Sequence, residues 1–131
     1  MSKTRRAANH HLVLWAAACH DLRTAVYLAK NPEMTVNNIG FHLQQSVEKA
    51  LKAYLSKSRV PYPLTHELIR LFGLLEDRAG VPPQFDSLKM LTPFAGSFRY
   101  ELPMSPDDFD VAEAIALSQE FLEWVSSFGG L

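Results

Sequence analysis

Apolar residues recur three and four positions apart along almost the whole chain, and no segment alternates with period two, so the backbone is read as helical from end to end. Leu12, Trp15, Ala16, Cys19, Leu22, Val26 and Ala29 share one helical face and predict a first helix from about Ala8 to Ala29, stopped by Asn31-Pro32. Leu43, Val47, Ala50, Leu51, Tyr54 and Leu55 predict a second from about Asn38 to Lys57. Val60-Pro61-Tyr62-Pro63 cannot continue it, because each proline lacks an amide donor and restricts the residue before it. Thr65 is the expected N-cap of a third helix that carries Leu68, Ile69, Leu71, Phe72 and Leu75 and ends at Gly80. A fourth is expected from Pro83 through Phe98, on Phe85, Leu88, Leu91, Phe94 and Phe98, kinked or split at Pro93 and Gly96. The last is expected to open with Ser105 as N-cap, Pro106 at the first helical position, and Asp107 and Asp108 beside the positive end of the helix dipole; Gly129-Gly130 terminates it.

These elements make an all-α chain, expected as an antiparallel four- or five-helix up-and-down bundle forming a single domain over residues 1–131. With 131 residues and 47% hydrophobic content it can bury a sufficient core without disulfide or metal. The lone cysteine, Cys19, excludes an internal disulfide and reads as a small buried hydrophobe.

The formal charge of -1 conceals an asymmetry. Residues 1–60 hold nine Lys or Arg against three Asp or Glu, and residues 61–131 hold four against eleven. Two readings follow: mutual neutralisation within a bundle, or a basic face of Lys49, Lys52, Lys57 and Arg59 that meets phosphate or an acidic partner. The start resembles a bacterial signal, with Lys3, Arg5 and Arg6 before an apolar run from Leu12 to Cys19. That run is too short to span a bilayer, and the apolar pattern continues past it through Leu22, Val26 and Ala29, so a cytoplasmic protein with no membrane association is expected.

Five histidines, at 10, 11, 20, 42 and 66, include none paired four residues from another His or from Cys, so zinc is not expected, and no other cofactor is. There is no phosphate-cradling glycine loop and no nucleophile elbow. The informative stretch is the second helix, where Gln45, Glu48, Lys49 and Lys52 fall on one polar stripe beside the apolar one. As structure, this is a solvated face with one Glu48–Lys52 ion pair; as function, it is a ligand surface.

Phe41-His42, Gln45 and Glu48-Lys49-Ala50-Leu51-Lys52-Ala53, followed by Thr65-His66-Glu67-Leu68 and then Phe98-Arg99-Tyr100, resemble the signature of HEPN domains, the higher eukaryotes and prokaryotes nucleotide-binding family. The resemblance implies a small helical bundle, usually a homodimer and often produced beside a minimal nucleotidyltransferase in a toxin-antitoxin-type system. It also implies a nucleotide- or partner-binding surface, with Gln45, Glu48, Lys49, Lys52, Arg99 and Tyr100 as candidate residues. Some family members are metal-independent endoribonucleases that carry an Arg followed four to six residues later by a His, usually near the start of the last core helix. Cleavage of RNA without metal uses the ribose 2′-hydroxyl as nucleophile, a His to move its proton and an Arg to hold the phosphate. Here Arg59 and His66, with six residues between them, meet that spacing in the linker between the second and third helices. As structure, they are a solvated linker Arg and a helix-start His. Arg99 with Tyr100 likewise has two readings, an acid-paired Arg beside a packed ring or a grip on phosphate and base. The leading expectation is a binding module, and the alternative is a ribonuclease.

Overall fold

The computed structural model describes residues 3–96 and 108–131, with side chains from Asn9 onward. Four α-helices, α1 (Lys3–Ala29), α2 (Val36–Lys57), α3 (Leu68–Glu76) and α4 (Val111–Gly129), and one 3₁₀ segment (Pro83–Ala95) make an all-α up-and-down bundle. No strand occurs among the described residues. None of the described helices is long and apolar enough to cross a membrane.

The organising element is α2, which packs against each of the other four. It begins two residues before the expected Asn38 because Thr35 supplies the cap, its hydroxyl accepting from the Asn38 amide at 3.2 Å. Towards α1 it meets Ala18 and Ala25, both fully buried, whose short side chains let the two backbones approach. The Ser46 hydroxyl donates to the Ala18 carbonyl across that seam at 2.8 Å. Towards α3 and α4 the core is larger, with Leu43, Leu51, Leu55, Leu71, Phe72 and Phe121 almost fully buried, each contributing about 1.5–3 kcal/mol. Phe85 meets Phe121 edge-on at 5.3 Å between ring centroids.

At its C-terminus α2 ends in a left-handed turn. Arg59 has φ 59°, its amide donates to the Ser56 carbonyl at 3.2 Å, and the Val60 amide donates to the Leu55 carbonyl at 2.8 Å. This is the pair of bonds that closes a Schellman motif, with Arg59 where glycine is usual. At the end of α4 the corresponding position is Gly130, with φ 67°, and the Leu131 amide donates to the Ser126 carbonyl at 3.0 Å.

Four boundary expectations are corrected. The α3 helix starts at Leu68 rather than from a Thr65 cap: Thr65 Oγ1 accepts from the Glu67 amide, while the Leu68 amide is satisfied by Thr92 Oγ1 from the 3₁₀ segment at 3.1 Å. It ends at Glu76, four residues before Gly80. The expected fourth α-helix is instead the 3₁₀ segment, ending at Ala95. Its buried residues, Phe85, Leu88, Leu91 and Phe94, are spaced strictly by three, which keeps them on one face only at three residues per turn. The last helix starts at Val111, where the Asp110 carboxylate accepts from the Glu113 amide at 3.0 Å; the expected cap at Ser105 and Pro106 lies outside the described residues.

Candidate functional site: carboxylate and imidazole pairs on the central helix

On an α-helix, positions 42, 45, 49, 52 and 56 fall along one face, and in α2 His42, Gln45, Lys49, Lys52 and Ser56 are all partly exposed there. The chain that leaves α2 turns at Arg59 and runs back along this helix. Tyr62 Oη lies 3.1 Å from Ser56 Oγ, and its ring centroid is 5.9 Å from Lys52 Nζ. Four residues later His66 reaches the level of Gln44 and Glu48, and Gln44 Nε2 fixes the linker by donating to the His66 carbonyl at 3.1 Å.

Glu48 is the centre of the first cluster. Its side chain is only 5% exposed, and each oxygen is engaged. Oε1 accepts from Gln44 Nε2 at 2.9 Å and meets His66 Nδ1 at 2.9 Å, and Oε2 accepts from Lys52 Nζ at 3.1 Å. Gln44, fully buried, also accepts from Gln45 Nε2 at 2.7 Å. The Glu48–Lys52 ion pair expected on a solvated face therefore forms, but in a largely buried network whose polar groups satisfy one another. His66 differs from its partners, because its side chain is 69% exposed. With Nδ1–H directed at the carboxylate, the ring is tied at one nitrogen and Nε2 is left as the acceptor of this exposed side chain.

The second cluster lies across the stripe, at the α1–α2 seam. Asp21 of α1, with its side chain 10% exposed, places Oδ1 3.0 Å from His42 Nδ1 and accepts from Lys49 Nζ on Oδ2 at 2.6 Å. His42 and Lys49 each keep 29% of their side-chain surface exposed.

The structure therefore joins Gln45, Glu48 and Lys52 in one network, adds His66 to it, and assigns Lys49 to a different carboxylate. Arg59 is exposed, forms no ion pair with any described residue, and does not touch His66. They occupy opposite ends of the returning linker, about 13 Å apart as measured by the rise of α2 between Glu48 and Lys57. Arg99 and Tyr100 lie outside the described residues. Three members are not among the residues expected from the sequence: Gln44, which is buried beside Glu48, Asp21, which sits in an otherwise ordinary helical face, and His42, which stands in the motif but carries no expected role. Among the described residues no group of His, Cys, Asp and Glu side chains is arranged to hold a metal ion.

Away from the stripe, a cavity of about 810 Å³ opens between α1 and α4, lined by Trp15, Cys19, Leu22, Arg23, Leu122 and Glu123 among others. Cys19 is thus partly exposed rather than fully buried, and burial still pushes its thiol above the usual range while Arg23 pulls it down.

No curated relative and no solved structure matches the chain. The HEPN domain family model matches residues 12–128, a span that runs from the third turn of α1 to the last turn of α4 and takes in both clusters. That match covers nearly every element whose packing has been described, and the chain belongs to the HEPN domain family.

Proposed function

We propose that this protein is a metal-independent endoribonuclease in which His66 moves the proton of the attacking ribose 2′-hydroxyl. The observation that carries the reading is the Glu48–His66 pair: a buried carboxylate 2.9 Å from Nδ1 of an imidazole that is 69% exposed. A general base needs a fixed ring, a defined tautomer and an accessible nitrogen; the Glu48 contact at Nδ1 supports the first two and the exposure of the ring supports the third. In the reaction Nε2 takes the 2′-hydroxyl proton, the 2′-oxygen bonds to phosphorus, and the bond to the 5′-oxygen breaks. That oxygen takes a proton from solvent, leaving a 2′,3′-cyclic phosphate. Glu48 is a positioning residue, Lys52 is a cation on the same carboxylate, and Arg59 grips the chain of phosphates further along the linker.

A second reading is favoured by two observations, that Arg59 does not touch His66 and that Lys52 is engaged by Glu48. Under it the chain binds without cutting, as a homodimeric nucleotide- or partner-binding module beside a nucleotidyltransferase-type protein. Incubating single-stranded RNA with the protein in EDTA separates the two. Cleavage that leaves cyclic phosphate ends, is lost in His66→Ala and acquires an altered pH profile in Glu48→Gln is the expected result. Absence of cleavage by the folded wild type would overturn the ribonuclease reading in favour of the binding module.

A further inference from the structure

We propose that Asp21, His42 and Lys49 form a ribonucleotide-binding subsite, in which Lys49 holds a phosphate and His42 Nε2 accepts a hydrogen bond from a ribose 2′-hydroxyl. The proposal rests on the reading of this chain as one that acts on RNA, but not on cleavage. One buried carboxylate spends one oxygen on each partner, so the ammonium and the imidazole are held side by side with fixed orientations. Lys49 Nζ has three N–H donors and gives one to Asp21, leaving two for a phosphate oxygen. His42 pairs Nδ1 with the Asp21 carboxylate, which can only accept, so Nδ1 carries the hydrogen and Nε2 is left as the acceptor of a side chain that keeps 29% of its surface exposed.

A tie between α1 and α2 needs only the Asp21–Lys49 pair; the partly exposed histidine adds an acceptor nitrogen to it. A donor for anionic oxygen beside an acceptor for a hydroxyl matches the repeating unit of RNA, and DNA lacks the second half of that match. Position also fits. His42 and Glu48 are six residues apart on α2, about 9 Å of helix rise, with the partly exposed Gln45 between them. A strand engaged at His66 would pass along this stripe to reach Lys49 and His42.

The test measures binding rather than turnover, on the His66→Ala protein so that the RNA survives, using one single-stranded octanucleotide as RNA and as DNA. The expected result is a preference for RNA that falls about three- to tenfold in His66→Ala/His42→Asn, the loss of one net hydrogen bond. Asn retains a donor for Asp21, which preserves the seam, but cannot reach the position of Nε2. His42→Gln, whose amide reaches that position, should restore part of the preference. Lys49→Arg keeps the charge and should bind both strands nearly as tightly as the parent. Equal affinity of the parent for RNA and DNA, or an RNA preference in His42→Asn within about twofold of the parent, overturns the subsite. A protein that shows the His42-dependent preference without any cleavage by the wild type would retain the subsite and lose the ribonuclease.

Discussion

Arg59→Gly should make this protein more stable while weakening its hold on RNA. Arg59 has φ 59° at the turn that ends α2, and no other described non-glycine residue has a positive φ. The left-handed region brings Cβ against the following carbonyl and costs an L residue about 1–2 kcal/mol. Glycine removes that clash but loses more backbone freedom on folding, about 0.5–1 kcal/mol. The balance is a gain of roughly 0.5–1 kcal/mol, provided that the bonds from the Arg59 and Val60 amides to Ser56 and Leu55 are kept. With a urea dependence of about 1.5 kcal/mol per molar, the unfolding midpoint should rise by about 0.5 M with an unchanged slope. The exposed guanidinium has no ion pair among the described residues to lose, so nothing offsets the gain. RNA affinity should move the other way, with its salt dependence reduced by about one phosphate contact. A midpoint equal to or below that of wild type would refute the assignment of strain to this turn.

Two further perturbations probe the packing and the cavity. Gly40→Ala would place Cβ 2.5 Å from the Phe94 ring, which is only 2% exposed, so the overpacking cost of about 1–3 kcal/mol should exceed the helix-propensity gain of about 1 kcal/mol. The melting temperature should fall by about 3–6 °C, and a rise would show that Phe94 has room to move. Cys19, with its thiol pushed up by burial, should react with iodoacetamide at pH 8 several-fold more slowly than free cysteine, and more slowly still in Arg23→Gln. Because the folded state holds this proton to higher pH than the unfolded chain, the contribution is present below the unfolded pKa and is lost as pH rises through the folded one. Alkylation as fast as that of free cysteine would contradict the burial.

Periodicity revealed the helices because each apolar stripe is a local property. The stripes of α1, α2 and α4 were legible to within a few residues, except where the polar cap decided the start, as at Thr35 and Asp110. The 3₁₀ segment departs from the expected α-helix although its signal is present in the sequence: Phe85, Leu88, Leu91 and Phe94 are three apart, and an α-helix would carry such a row steadily around its axis. Pro93 does not separate the two, since a proline inside either kind of helix lacks the amide that would donate to a carbonyl three or four residues back. The capping of Leu68 by Thr92, by contrast, joins residues 24 apart and left no local trace.

The site was half legible for the same reason. The stripe of α2 could be drawn from spacing alone, but which carboxylate each cation meets depends on how α1 and the returning linker pack. Lys49 and Lys52 look equivalent in the sequence, yet Lys49 joins an Asp 28 residues away and Lys52 an adjacent-turn Glu. Stability alone does not account for two carboxylates kept at 10% and 5% side-chain exposure in these seams. Removing such charges from water is costly, and apolar residues of similar volume hold helices together at least as well. What an apolar pair cannot do is fix an imidazole by one nitrogen and leave the other as an acceptor. Asp21 does this for His42, and Glu48 does it for His66, on either side of one helix face. A charged surface alone would be served by the lysines; the paired imidazoles are the feature on which the proposed recognition of a hydroxyl, and transfer of its proton, rests.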